Sequence, residues 1–166
     1  MGMVVILLRV TESQLDEYLR DSSALENRIT NEDIYNDNTS LNIDKAWDGI
    51  IYLLTGQNYW NATHPLASAL FSGQLIDKDQ DLGLGPAHYL LPSQVKQLNG
   101  VISTITEADL RERYQPNRMA EMKVYPDIWD QDQIDAFDYL KNYFKLFQAF
   151  YNLAAIDHNA LITMLA

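Results

Sequence analysis

The chain has no cysteine, which rules out disulfides and thiolate metal ligands and fits a reducing compartment. Basic residues are scarce as well. Twelve lysines and arginines stand against 23 aspartates and glutamates, a formal net charge of −11 over 166 residues. Such a surface repels phosphate backbones and disfavours direct nucleic-acid binding. Solubility alone accounts for that charge, but it would also attract a basic protein partner and speed the encounter. Long apolar runs are missing too. Residues 4–8 are too short for a signal-peptide core, and Arg9 interrupts them. No stretch approaches the roughly 20 apolar residues of a membrane span. The expectation is a soluble, cytoplasmic protein without membrane association, folded as one domain over residues 1–166.

Catalytic signatures are absent in the same way. The three histidines, His64, His88 and His158, lie too far apart to share a helix face, so no metalloprotease pair forms. There is no Gly-x-Ser-x-Gly elbow and no phosphate loop with its lysine. Gly83-x-Gly85 runs into Pro86 and not into a glycine-bearing helix, which defeats a dinucleotide reading. Asp77-x-Asp79-x-Asp81 resembles the start of a calcium loop. The sixth and twelfth positions, which need Gly and Glu, are Leu82 and His88. Asp127, Asp130, Asp132 and Asp135 read most simply as charge opposing a helix macrodipole. Neither a cofactor nor a metal site is expected.

What the chain does have is a block at residues 41–56. Asp44 has the side chain of an N-cap. Ile43, Trp47, Ile50 or Ile51, and Leu54 recur at spacings of three and four, which places them on one helix face. Gly56 falls where a left-handed residue would end the helix. Asp48 shares another side with Asp44. It is either part of a solvated acidic edge or, with Tyr52, faces a cleft.

Around this block, residues 3–10 read as a buried strand, and Thr11 caps a helix over 12–20 that turns Leu15, Tyr18 and Leu19 inward. Residues 21–40 are polar and carry only weak periodicity. Pro65 opens a short helix to Phe71, residues 87–91 form a strand, and a helix covers 94–105. Thr106 with Asp109 forms a capping box. From about 130 to 156 one apolar stripe holds Ile134, Phe137, Leu140, Phe144, Phe147 and Tyr151. A second holds Tyr139, Tyr143, Leu146, Phe150 and Leu153, which predicts a central helix contacted on two sides. Residues 160–165 give a last strand. The sum is a helix-rich α+β fold with a small sheet and a long central C-terminal helix.

Tyr59, Trp60, Tyr125 and Trp129 fall in loops or at helix starts, where an aromatic either lids the core or anchors a partner. His88 stands alone on its strand.

Several segments, taken in order, resemble the YfbM-like family of small bacterial proteins, which carry a domain of unknown function. They are Met1-Gly2-Met3, residues 43–48 and 53–56, Pro65-Leu66 to Ala69, residues 85–90 with Val95, Met119 to Met122, Tyr125-Pro126 with Trp129, and the closing aromatic helix. The resemblance implies an α+β fold and brings no substrate, cofactor or catalytic residue. It also implies two departures, because the family commonly has a histidine where this chain has Ile51 and often an arginine at His88. Two functional expectations follow. One is a protein-binding module of antitoxin or immunity type that occludes a basic partner. The other is a small-molecule binder or enzyme with a cleft near residues 44–56, using Asp48, Tyr52, His88 and Tyr125. Oligomeric state is not legible.

Overall fold

The structure is a computed structural model and describes residues 2–31, 34–132 and 135–166. Strand β1 (Val5–Val10) leads into helices α1 (Glu12–Arg20) and α2 (Ser23–Asn31), then the short strand β2 (Ser40–Asn42). A 3-10 turn at Asp44–Ala46 runs directly into α3 (Trp47–Thr55). Further 3-10 turns at Tyr59–Asn61 and Pro65–Ala69 precede β3 (His88–Leu90). Helices α4 (Pro92–Ile102), α5 (Glu107–Arg113), α6 (Pro116–Glu121) and α7 (Ala136–Ile156) follow, and β4 (Ala160–Leu165) closes the chain. The four strands form one antiparallel sheet in the order β2-β1-β4-β3.

The two terminal strands are neighbours at the centre of this sheet, with Val5 opposite Leu165 and Val10 opposite Ala160. Both are apolar on successive residues because both faces of the sheet are covered. Side chains alternate between the faces. Val5, Leu7 and Leu161 point into the larger core, which contains α3 and α7. Ile6, Leu8, Val10, Ile162 and Met164 point into a smaller core with Leu15, Tyr18 and Leu25 of α1 and α2.

The capping chemistry read from sequence holds at several ends. Thr11 and Gln14 form a reciprocal box at α1, and Thr106 and Asp109 form another at α5. Gly56 ends α3 at φ 71°, a conformation that favours glycine.

Other expectations change. Asp44 does not cap α3. It sits at φ 49°, and its carboxylate accepts a hydrogen bond from the Tyr139 hydroxyl at 2.8 Å. The helix proper begins three residues later. Leu19 points outward. Helix α7 begins at Ala136, capped by Asp135, while Ile134 lies outside the described residues. Its first predicted stripe is buried along Leu140, Phe144, Phe147 and Tyr151. In the second stripe Phe150 is buried and Tyr139 and Tyr143 pack against the larger core, while Leu146 and Leu153 are exposed.

Helix α3 approaches α7 closely at Gly49. A Cβ there would lie 2.8 Å from Leu140 Cδ1 and 2.9 Å from Trp129 Cη2. Alanine is the better helix former by about 1 kcal/mol, but overpacking costs about 1–3 kcal/mol, so the clash prevails. Gly49→Ala is expected to lower the urea midpoint, and an unchanged or raised midpoint would contradict this packing.

Candidate functional site

Five of the seven residues that sequence reading singles out assemble around Trp47, the first residue of α3. The indole is fully buried. It stacks on Tyr125 at 5.4 Å between centroids and meets Tyr59 and Phe71 edge-on at 5.6 and 5.8 Å. Tyr59 in turn touches Trp60, and Phe71 touches His88. Asp48 ties the assembly together. One carboxylate oxygen accepts from the Tyr59 amide at 2.6 Å and the other from the Tyr125 amide at 2.8 Å. Two loops 66 positions apart in sequence are thereby fixed to the first turn of α3 (residues 59 and 125).

This arrangement overturns both sequence readings of Asp48. Its exposure is 0 %, so it belongs to no solvated edge and opens onto no cleft. Burial pushes its carboxyl up to about 6, against the pull of the two amide bonds. The other members are similarly committed. Tyr125 accepts from the Met3 amide through its hydroxyl at 2.9 Å, and Trp47 Nε1 donates to the Met3 carbonyl at 3.0 Å. His88 Nδ1 accepts from the Gly73 amide at 3.0 Å, and burial lowers its pKa. The neutral ring therefore holds the bend at Gly73, fifteen residues earlier in the chain. Trp129 is no exposed anchor. It is buried against Gly49, with Nε1 donating to the Val124 carbonyl at 2.7 Å. Trp60 is the exception, at 67 % exposed.

Tyr52 is elsewhere, one turn along α3. It lines a cavity of about 530 Å³ at the C-terminal end of that helix, with Thr55, His64, Thr104, Arg113 and Arg118. That volume lies in the range of small-molecule sites. Arg113 Nη1 donates to the Leu53 carbonyl at 3.0 Å and so caps α3 from a distant helix. His64 Nδ1 accepts from the Leu66 amide at 3.1 Å, which makes Nε2 the donor of the neutral ring. Burial pushes the Tyr52 hydroxyl above its usual range, with the Arg118 charge pulling it back.

The charge balance of the cavity is opposite to that of the whole chain. Arg9, Arg28, Arg111, Lys141 and Lys145 each have a carboxylate within 3.3 Å. Arg113 and Arg118 have none within 4.0 Å among the described residues. Asp109 feels the charge of Arg113, and its Oδ2 accepts from both the amide and the hydroxyl of Thr106. The end of α3 contributes about half a negative charge, less than the two guanidinium charges offset. Two whole positive charges against that half leave the cavity cationic. The sequence pointed to a cleft near residues 44–56 but gave no sign of this charge, because Arg113 and Arg118 lie some sixty positions from α3 and match no motif. The Thr55-Gly56 stop marked the helix end without revealing what faces it.

The acidic loop at 77–81 turns its oxygens to its own surroundings. Asp77 accepts from Ser22 and the Asp79 amide, and Asp81 from the amides of Gly83 and Gly85. Among the described residues no group of three or more His, Asp or Glu side chains is placed to hold a metal ion. No helix there is long and apolar enough to cross a membrane.

Fold and sequence together define a small α+β protein with a four-stranded sheet and a long C-terminal helix. The chain belongs to the family described as Domain of unknown function (DUF1877), whose sequence profile matches residues 1–164. Among solved structures it is similar to YfbM, a protein of unknown function from Escherichia coli, with a TM-score of 0.75 and 16 % identity. That match covers 98 % of this chain and 99 % of the other. At this identity the likeness concerns the fold alone. No curated protein matches the chain.

Proposed function

We propose that the protein binds a small anion, of phosphate or dicarboxylate chemistry, in the cavity at the end of α3. The observation that supports this is the pair of guanidinium groups without carboxylate partners, Arg113 and Arg118, lining one cavity on a chain of net charge −11. His64 Nε2 and the hydroxyls of Thr55 and Thr104 supply neutral donors beside them. Guanidinium forks match carboxylate and phosphate oxygens two at a time, which gives orientation as well as charge.

Calorimetric titration with inorganic pyrophosphate and with succinate at low ionic strength tests this reading. Saturable binding is expected, weakened by added salt. Arg118→Ala should weaken it about tenfold or more, since a hydrogen bond to a charged group contributes about 1.5–3 kcal/mol. Arg113→Lys is the second variant, because it keeps a charge while losing the fork. Equal binding by wild type and Arg118→Ala would contradict the reading.

A second reading has its own support in Trp60, which is exposed beside Tyr59 on a chain of net charge −11. In this reading the chain is a protein-binding module, of antitoxin or immunity type, that takes a basic partner through that ring. A basic protein retained at about 50 mM salt, released at about 300 mM and not retained by Trp60→Ser would support it. Retention indifferent to salt and to the substitution would contradict it.

A further inference from the structure

We propose that the anion held at Arg113 and Arg118 carries an uncharged aliphatic tail, as in an acyl or alkyl anion. The tail lies in a recess between the Pro65–Ala69 turn and α4. The proposal deepens the anion-binding reading and rests on it.

The cationic cavity does not end at Thr104. It shares two walls, Leu66 and Val101, with a second recess of about 450 Å³ that runs along α4. Among the described residues no charged side chain lines this recess. The polar groups that do line it are mostly engaged with the protein itself. Gln74 Nε2 donates to the Tyr89 carbonyl at 3.0 Å and to Gln94 Oε1 at 2.8 Å, which uses both of its hydrogens. Gln94 Nε2 returns a bond to Gln74 Oε1 at 3.4 Å. The Ser68 and Ser72 hydroxyls donate to the carbonyls of Pro65 and Tyr89, each at 2.7 Å. An extended peptide would need free donors and acceptors along its length, and of the amide and hydroxyl side chains lining these walls only the exposed Gln97 has no partner among the described residues. What they offer a ligand is chiefly the apolar surface of Leu66, Leu90, Leu98 and Val101.

Val101 lines both cavities and is 47 % exposed. A methylene chain leaving the arginines would cross it first and remove that surface from water. A cationic cavity and a neutral, mostly apolar recess that share Leu66 and Val101 match the two ends of an amphipathic anion.

The test is a chain-length series of acetate, butanoate, hexanoate and octanoate, with pyrophosphate as the tailless reference, each titrated calorimetrically below its micellar range. Affinity is expected to rise about two- to fourfold per methylene, since burying one contributes about 0.8 kcal/mol when complete and less in an open recess. Leu98→Gln, and independently Ser68→Phe, should flatten the series while leaving pyrophosphate binding unchanged. Arg118→Ala should weaken every member alike. A flat series with normal pyrophosphate binding overturns the tail and leaves the anion site standing. Failure of pyrophosphate and the series together overturns both. A rising series that persists in both recess variants shows indiscriminate apolar binding and also overturns the proposal.

Discussion

Replacement of Trp47 by alanine is expected to destabilise the fold by about 3–5 kcal/mol, the cost of emptying a buried aromatic site. Against the roughly 5–15 kcal/mol that holds a domain together, that is a large part of the whole. Three rings lose their common neighbour, since Tyr59, Phe71 and Tyr125 all contact the indole. The Met3 carbonyl loses a donor as well. Trp47→Phe retains part of the packing without the N–H and should cost less, about 1–3 kcal/mol from the lost hydrogen bond and imperfect fit. Urea unfolding of the two variants checks the order. A Trp47→Ala loss below about 1 kcal/mol, the scale of an ordinary surface change, would show that the cluster is not what holds α3 to the sheet.

Asp48 gives the second large effect and a pH signature. Asp48→Ala leaves two backbone amides, those of Tyr59 and Tyr125, without their acceptor. A buried orphan costs about 1–3 kcal/mol. Relief from burying a charge offsets part of this at neutral pH, so a net loss of about 2–4 kcal/mol is expected there. The sign of the pH dependence follows from the raised pKa. The native carboxyl titrates at about 6 and the unfolded one near 4. Between those values the native state holds more protons than the unfolded state, so the wild type loses stability as pH rises through that window. Two pKa units correspond to roughly 3 kcal/mol. The other carboxylates titrate alike in both proteins and drop out of the difference. The gap between wild type and Asp48→Ala should therefore widen on going from pH 7 to pH 4. A gap that narrows would mean that the two amide bonds outweigh desolvation and hold the carboxyl low. Trp47 and Asp48 are adjacent and clamp the same 125 loop, so their losses are not expected to add.

The fold was legible wherever a local rule had a local partner. Thr11 found Gln14 three residues on, Thr106 found Asp109, and Gly56 needed only its own backbone freedom. The two terminal strands announced themselves by continuous β-branched and apolar residues, because both faces of the sheet are covered. Asp44 was misread because its side chain has a better partner 95 positions away, the Tyr139 hydroxyl, and no spacing rule reaches that far. Strand β2 is three residues long and joined to β1 by backbone pairing, which leaves no side-chain pattern to read. Leu146 and Leu153 carry the right spacing for burial, but the chain has no further element to cover them among the described residues.

The site divides the same way. The aromatics at 59, 60 and 125 and the carboxylate at 48 were picked out as unusual, and they do come together. Their meeting is a packing solution around Trp47, because a carboxylate with two amides to satisfy is more useful inside than exposed. A cleft near residues 44–56 was expected, but its cationic character was not, because the charges come from α5 and α6. Of the seven residues singled out from the sequence, only Tyr52 lines this cavity. An arginine in an exposed helix looks like any other until the fold shows that no carboxylate stands beside it.

The claim at the centre of this account is that the chain meets its ligand at the end of α3 and not at the aromatic cluster. Amide chemical-shift mapping during titration with pyrophosphate tests it most directly. Progressive, saturable shifts are expected at Thr55, Gly56, Thr104 and Arg118, with the amides of Tyr59, Trp60, His88 and Tyr125 unmoved. Shifts centred on residues 59, 60, 88 and 125, or none at 55, 56, 104 and 118, would contradict it.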